Sequence, residues 1–316
     1  MNYNILLTAV GGDLSCSILK CLKESGLLLK VIGTDVNLNI AGKWLVDKFI
    51  ISPDAVNEDE YKKFISDIYK EEEISIIIPA SEPEVMFFQS HRDYFEYKNI
   101  KVLIVNPQAY DAFADKYKTT ISLNEFGIRT PVTYLFQEFK KELQYPFILK
   151  SRTGSGSNSV EIIHNDDEYE FYKKRTKDPI VQEFLDSDEE FTTAIYSDGN
   201  TVEVFSFKRV LGPGGMTFKA DIVEENALLE ISNIIAKKVS LKGLINMQTK
   251  KLSGAFLPFE INLRLSSTVY MRHHFGFCDA VWWVNNVLTG SIGDKGKYRS
   301  SGTAYRVYDY HFLDSA

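Results

Sequence analysis

FEINLRLSST, residues 259–268, places polar side chains at every second position of an apolar run. Side chains at alternate positions of a β-strand point to the same face, so Glu260, Asn262 and Arg264 would form one row. The strand reads as largely buried, and unpaired buried charge is costly. The row should therefore face a ligand, a metal ion or compensating partners.

A second strand comes just before this one. The stretch LINMQTKKLSGAFLPFEINLR predicts a hairpin with its turn at Ser253-Gly254. If the pairing is symmetric about Gly254, Gln248 lies opposite Glu260, with Cβ atoms about 4.5–5.5 Å apart. Glu260 and Asn262 would lie about 6.6 Å apart along their strand. Three such oxygen donors on one sheet face suit one or two Mg²⁺ ions.

The alternative is that the row is the solvent-facing side of an ordinary hairpin. The pairing also depends on register, because a slip by one residue would move Gln248 to the opposite face of the sheet. The residues of the hairpin leave both interpretations open.

A glycine- and serine-rich loop forms a second candidate site. In FILKSRTGSGSNSVEII a strand ends at Lys150, and Gly154 and Gly156 would allow backbone amides to approach an anion. The order differs from that of a P-loop, in which the lysine follows the glycines. The alternative is a flexible linker, although a linker does not ordinarily separate two adjacent strands.

A third candidate lies in VQEFLDSDEEFTTAIY, between two predicted strands. Glu190, near the start of the second strand, could accept hydrogen bonds from ribose hydroxyls, while backbone groups of Gln182–Leu185 could contact an adenine edge. The alternative is an acidic surface loop.

The N-terminal third alternates apolar runs with helical patterns. YNILLTAV, LLKVIGTD, ISIIIPAS and KVLIVN read as strands buried on both faces. SCSILKCLKESG and NEDEYKKFISDIYKEEE lie between them and have helical spacing. This alternation predicts a parallel sheet covered by helices. Gly11-Gly12 lacks the full dinucleotide-binding glycine pattern and predicts only a tight strand-to-helix turn.

Composition narrows the class of protein. The chain has 316 residues, 36 basic and 43 acidic, and its net charge of −7 argues against general nucleic-acid binding. The sequence contains neither a signal-peptide pattern nor a run of apolar residues long enough to span a membrane. Three cysteines without metal-like spacing predict free thiols in a reducing cytoplasm.

Taken in order, ADKYKT, PFILKSRTGSGSNSV, VQEFLDSDEEFT and NMQTK…PFEINLRLSS resemble the ATP-grasp superfamily, and most of all the ATP-binding halves of the carbamoyl phosphate synthetase large chain. The resemblance implies an α/β protein with the ATP-grasp fold. We expect a Rossmann-like N-terminal parallel sheet in residues 1–114, followed by two α+β lobes, residues 115–185 and 186–316, that clasp ATP.

The resemblance also implies roles for single residues. Lys116 and Lys150 would contact ATP phosphates, and Arg264 would steady the transferred phosphoryl group, which makes Lys150 and Arg264 the catalytic candidates. The remaining nucleotide and metal contacts would come from Ser155, Gly156 and Ser157 in the loop, from Gln182, Glu183, Phe184 and Leu185 at the adenine, from Glu190 at the ribose, and from Gln248, Glu260 and Asn262 at Mg²⁺, or Mn²⁺ in its place.

Such enzymes phosphorylate a carboxylate and let an amine or ammonia attack the acyl phosphate. We therefore predict a ligase that releases ADP and phosphate and acts on small molecules, with a homodimer left open. A kinase that stops at the acyl or carbamoyl phosphate, and a silent nucleotide-binding module, are the alternatives. Leu263 stands where the family has proline, and an acceptor pocket is expected from the N-terminal lobe and the segment after Arg264. Its candidate residues are Glu82, Glu84, Arg272 and Arg306.

Overall fold

The computed structural model describes residues 3–154, 160–307 and 312. The chain divides into two compact units. Unit 1 consists of Met1–Ile104, Thr217–Asp221 and Arg264–Ala316, and unit 2 of Val105–Met216 and Ile222–Leu263.

The strands of the described residues are numbered in chain order. They are β1 (Tyr3–Leu7), β2 (Leu29–Asp35), β3 (Lys48–Ile51), β4 (Ile74–Ile78), β5 (Thr133–Leu135), β6 (Phe147–Ser151), β7 (Val160–Ile163), β8 (Pro179–Glu183), β9 (Glu190–Ser197), β10 (Val202–Leu211), β11 (Thr217–Val223), β12 (Gly243–Leu252), β13 (Ala255–Asn262) and β14 (Thr303–Tyr305).

The helices are numbered in the same way. They are α1 (Asp13–Glu24), α2 (Glu58–Glu71), α3 (Glu82–Ser90), α4 (Arg92–Tyr97), α5 (Pro107–Phe113), α6 (Lys116–Glu125), α7 (Asp166–Tyr172), α8 (Asn226–Lys238), α9 (Val269–His274) and α10 (Asp279–Thr289). Short 3-10 turns occur at Ala41–Trp44 and Pro213–Gly215.

Unit 1 contains a parallel sheet in the order β3-β2-β1-β4. Its central strand is fully buried at Ile5, Leu6 and Leu7, as expected of a strand covered on both faces. The predicted parallel sheet is confirmed. The predicted strand KVLIVN is wrong in extent, because only one bridge, between Ile77 and Val102, joins it to β4.

Helix α2 covers this sheet with an apolar stripe. Tyr61, Ile65 and Ile68 are buried at spacings of four and three residues, which places them on one helix face. They pack in one core with Phe87 and Phe88 of α3. Each such burial contributes about 1.5–3 kcal/mol, so this stripe holds the helix on the sheet.

Unit 2 contains two antiparallel sheets. The first has the order β5-β8-β6-β7, and its buried face includes Phe147, Leu149 and Val181. In the second, the strands of this unit run in the order β13-β12-β9-β10, with hairpin turns at residues 198–201 and at Ser253–Gly254. The predicted α/β class, with a parallel sheet followed by antiparallel sheets, is confirmed. Among the described residues, no helix has both the length and the apolar character to cross a membrane.

Candidate functional site

The hairpin of β12 and β13 contains a register shift that decides which polar residues of the two strands lie opposite each other. Ser253 and Gly254 both have positive φ, 50° and 82°, as a two-residue type I′ turn requires, and Leu252 pairs with Ala255. That turn alone would place Gln248 opposite Phe259. A β-bulge at Phe259 shifts the pairing, so that Gln248 lies opposite Glu260. The predicted pairing is confirmed, but the assumed turn centre was wrong.

Four polar side chains therefore share one face of this hairpin. Asn246 pairs with Asn262 just as Gln248 pairs with Glu260, and directly opposed residues in an antiparallel pair point to the same side. Asn246 is buried and accepts a hydrogen bond from Thr192 Oγ1 at 2.9 Å. The row is thus anchored from the neighbouring strand β9.

Lys150 of β6 reaches the bulge from the other sheet of unit 2. Its side chain is 4% exposed and donates to Gln182 Oε1 at 2.8 Å and to the carbonyl of Phe259 at 3.2 Å. The pKa of Lys150 is lowered to about 8, mainly because burial disfavours the charged form; Glu260 opposes this effect and Lys116 adds to it. Both of these hydrogen-bond acceptors are neutral and leave the positive charge of the ammonium group uncompensated, so this group can bind an anion.

Lys116 is held at the start of α6. Asp115 caps the helix by accepting from the amides of Tyr117 and Lys118, and it also pairs with Arg152 at 2.6 Å. The Lys116 ammonium donates to the carbonyl of Gly154. The structure thus places Lys116 at the edge of the predicted loop. The predicted contacts Ser155, Gly156 and Ser157 lie outside the described residues.

The predicted adenine segment connects the two sheets of unit 2. The carboxylate of Glu183 accepts from the amide of Val132 at 3.0 Å, so it supports the backbone. Lys250 donates to the carbonyl of Leu185 at 3.2 Å, and its ammonium lies 5.6 Å from the centre of the Phe184 ring. Lys250 therefore orders the segment that was predicted to contact the base.

Glu190 has a partner that the sequence interpretation missed. Arg209 of β10 lies directly opposite Glu190 and donates to Glu190 Oε1 through Nε at 3.0 Å and also through Nη2. Counting outward from the predicted turn at residues 198–200 would instead pair Glu190 with Lys208. The observed loop spans residues 198–201, and this shift by one residue places Arg209 opposite Glu190.

Arg209 also contacts the polar row. Its Nη2 donates to Gln248 Oε1 at 2.8 Å, and its side chain is 9% exposed. One guanidinium thereby links the predicted ribose contact to a predicted metal ligand, across three neighbouring strands.

Arg264 lies two residues after the end of β13 and belongs to unit 1. Its Nη1 donates to the carbonyl of Leu265 at 3.0 Å. The predicted role of Arg264 at the transferred phosphoryl group stays a prediction.

Two of the four acceptor-site candidates lie at the start of α3. Glu84 is buried and forms a capping box with Ser81, and it accepts from Thr8 Oγ1 at 2.6 Å and from Tyr61 OH at 3.0 Å. Burial raises the pKa of Glu84, and these hydrogen bonds oppose that rise. This geometry favours a structural role for Glu84 over a substrate contact. Glu82, in the same helical turn, is half-buried.

The other two candidates, Arg272 and Arg306, also form hydrogen bonds and ion pairs within unit 1. Arg272 is buried and pairs with buried Asp279 at 2.7 Å, although its Nη2 has no hydrogen-bond partner among the described residues. Arg306 donates to Asp13 and to the carbonyls of Thr217 and Ser267. Their hydrogen bonds support the local fold.

The residues of unit 2 fit a nucleotide and a magnesium ion. Among the described residues, no three His, Cys, Asp or Glu side chains come together as a metal site. The donors present are the Glu260 carboxylate and the Asn262 amide, hard oxygen ligands that leave most Mg²⁺ positions to water and phosphate oxygens. The buried cation Lys150, whose acceptors within the described part of the chain are neutral, suits a phosphate group.

The sequence matches two known domain families. Residues 113–262 match the family described as an ATP-grasp domain. Residues 5–103 match the family described as a PylC-like N-terminal domain. The first match contains every residue discussed above for unit 2.

Related proteins include carbamoyl phosphate synthase large chains. The chain is 24% identical over 233 residues to the one from Clostridium beijerinckii. This match covers 63% of this chain and 21% of that protein. It is 23% identical over 194 residues to the one from Kocuria rhizophila, covering 54% of this chain and 17% of that protein. The chain thus spans about a fifth of the length of these relatives.

Solved structures share the fold. An L-amino acid ligase from Bacillus licheniformis superimposes with a TM-score of 0.71 at 18% identity, covering 91% of this chain and 74% of that one. A biotin carboxylase from Campylobacter jejuni, solved as a β-γ-ATP complex, superimposes with a TM-score of 0.73 at 16% identity. The match covers 95% of this chain and 74% of that one. The predicted resemblance is confirmed. The chain carries an ATP-grasp domain over residues 113–262, preceded by a PylC-like N-terminal domain over residues 5–103.

Proposed function

We propose that this chain is an ATP-dependent carboxylate–amine ligase that forms a carbon–nitrogen bond and releases ADP and phosphate. Its substrates are a small-molecule carboxylate and an amine or ammonia. One observation carries the proposal: buried Lys150 and the Glu260–Asn262 row come together at the Phe259 bulge, inside the ATP-grasp domain.

The first chemical step transfers the γ-phosphoryl group of ATP to the carboxylate. A carboxylate oxygen bonds to the γ-phosphorus while the bond to the ADP oxygen breaks, which leaves an acyl phosphate and ADP. Such transfer depends on position and on neutralisation of the phosphate oxygens. Lys150 and Lys116 supply two positive charges, and Arg264 is the third cation proposed for this role.

The second step forms the amide. The lone pair of the amine attacks the acyl carbon, the bond to phosphate breaks, and the amine gives up a proton to solvent. The two steps convert ATP to ADP and inorganic phosphate for each amide formed.

Glu260 and Asn262 are the residues that would hold Mg²⁺, or Mn²⁺ in its place. When bound, the ion neutralises phosphate charge and orients the phosphoryl group for in-line attack. Glu190 would accept from the ribose hydroxyls, and the Glu183–Leu185 backbone, ordered by Lys250, would contact the adenine.

The names of similar proteins support this class of reaction. An L-amino acid ligase shares the fold, and carbamoyl phosphate synthases are related in sequence. Since the chain spans only about a fifth of those relatives, the proposal extends to the reaction class and leaves the particular acceptor to experiment.

The decisive experiment measures ADP release from Mg-ATP across a matrix of carboxylates crossed with amines and ammonia. The carboxylates are amino acids, uronic acids and small peptides, and each pair is repeated with the Glu260→Gln variant as control. We expect ADP release that requires one specific pair and that the variant lacks.

Two other results would contradict the ligase. ADP release with a carboxylate alone, and an intermediate trapped by hydroxylamine, would indicate a kinase that stops at the acyl phosphate. Stabilisation by Mg-ATP, about 2.7 kcal/mol at 100 times Kd, without ADP release from any pair would indicate a silent nucleotide-binding module.

A further inference from the structure

Arg209 lies between Glu190 and the Gln248 end of the polar row. Its guanidinium bonds to Glu190 on one side and to Gln248 on the other, and both side chains lie on the face that presents Glu260 and Asn262. The β9–β10 register places Arg209 opposite Glu190, and the β9–β12 register places Thr192 opposite Gln248.

The bond to Gln248 uses the only atom through which a glutamine binds Mg²⁺. The amide oxygen Oε1 is the metal-binding atom of this side chain, and Arg209 Nη2 donates to it at 2.8 Å. A divalent ion on the same oxygen would lie beside a guanidinium that stays charged at every relevant pH, and like charges at such a distance repel.

An ordinary cross-strand ion pair does not account for this arrangement. Such a pair would join Arg209 to Glu190 alone, and exposed pairs of that kind contribute little. Here the guanidinium is mostly buried and makes a further bond to a neutral residue two strands away. The geometry therefore places a fixed positive charge at the Gln248 end of the row.

We propose that Arg209 takes the place of a second divalent cation, so that the nucleotide-bound chain holds one metal ion through Glu260 and Asn262. This inference rests on the proposed nucleotide site. It changes the role of Gln248 from metal ligand to acceptor for Arg209, and it makes Arg209 a positioning residue for both Gln248 and Glu190.

The test counts Mn²⁺ ions on the full chain in the presence of AMP-PNP, a nucleotide that is not turned over. Nucleotide binding is first measured by calorimetry. Bound Mn²⁺ is then counted from the loss of the six-line EPR signal of free Mn²⁺, with AMP-PNP alone as blank. The wild-type chain should hold one Mn²⁺, and Arg209→Met should hold two, a two-fold rise.

Lys208→Ala is the matched control. Lys208 precedes Arg209 on β10, points to the opposite face of the sheet, and pairs with Glu189 at 2.6 Å. The variant removes one positive charge from the same strand, and the count should stay at one.

Two Mn²⁺ ions on the wild-type chain, or one on Arg209→Met, would overturn the inference and leave the nucleotide site intact. If Arg209→Met fails to fold, Gln248→Glu decides, because Arg209 should neutralise the new carboxylate and keep the count at one, whereas two would overturn the inference. A wild-type chain that does not bind AMP-PNP would overturn the proposed function and the inference with it.

Discussion

Glu84 in unit 1 and Glu260 in unit 2 are both glutamates beside buried apolar residues, yet their surroundings differ. Glu84 accepts hydrogen bonds from Thr8, Ser81 and Tyr61 and closes a capping box. Glu260 is half-buried in the polar row, and its charge acts on the buried ammonium group of Lys150. A carboxylate whose two oxygens both accept hydrogen bonds within the fold has a structural role. A carboxylate in a polar row near a buried cation can instead bind a ligand.

The basic residues of the two units differ in the same way. Arg272 in unit 1 is neutralised by buried Asp279 and further bonded to Ser266 and Thr268. Among the described residues, Lys150 in unit 2 has no such counter-charge in hydrogen-bond contact, and its pKa is lowered to about 8 mainly by burial. The comparison predicts that substitutions in the first cluster change stability and that substitutions in the second change function.

The largest effect is expected for the ion pair of unit 1. Asp279→Asn leaves the Arg272 charge buried without compensation, so the free energy of unfolding should fall by about 3–5 kcal/mol. Urea denaturation measures this change. Asp186→Asn, at an exposed position, is the control and should stay within about 0.5 kcal/mol. Equal effects of the two variants would remove the distinction between the clusters.

Glu84→Ala tests the capping box. The change removes the helix cap and leaves the hydroxyls of Thr8 and Tyr61 without their acceptor, so stability should fall by about 2–4 kcal/mol. Glu82→Ala, in the same turn, should cost less than about 1 kcal/mol. A rise in KM for the carboxylate in folded Glu84→Ala, with stability unchanged, would instead support the predicted substrate contact.

Glu260→Ala should have the reverse profile. ADP release should fall at least about 100-fold, equivalent to about 2.7 kcal/mol, because the main charged oxygen donor of the row is lost. Urea denaturation should show stability within about 0.5 kcal/mol of the wild-type value. Full turnover in this variant would exclude Glu260 from the site.

The smallest effect is a pH dependence that arises from Lys150. Its pKa is about 8 in the folded chain and 10.5 ordinarily, so between these values the unfolded chain binds more protons, and stability rises with pH. The stability difference between wild type and Lys150→Met should therefore shift by about 1 kcal/mol in favour of the wild type from pH 7 to pH 9. A constant difference would mean that the Lys150 pKa is not lowered.

The hairpin of β12 and β13 shows which features the sequence predicted and which it did not. Its alternating polar residues and its Ser253-Gly254 turn are local patterns, and they predicted the strands and the polar row. The bulge at Phe259 directly follows Pro258, and proline within a sheet is confined to edge strands, strand starts and bulges, a signal that the sequence interpretation did not use. The Gln248–Glu260 pairing was predicted from a different turn centre, and the bulge compensated for the difference.

Glu84 had a readable signal that the sequence interpretation did not use. The order Ser81-x-x-Glu84 is a capping-box pattern, which indicates a structural role. The β9–β10 hairpin was predicted, but its predicted turn would pair Glu190 with Lys208, and only the observed register pairs Glu190 with Arg209. By contrast, nothing in the sequence near Lys150 indicates the carbonyl of Phe259 as its acceptor, because 109 residues separate them.

The sequence by itself determined the order of strands and helices, the α/β class and the motifs of the ATP-grasp domain, because these depend on hydrophobic periodicity, turn residues and spacing along the chain. Only the tertiary structure decided which charges are compensated. Whether a carboxylate supports a helix, as Glu84 does, or lies in a polar row near a buried cation, as Glu260 does, depends on partners that come together only when distant strands pack.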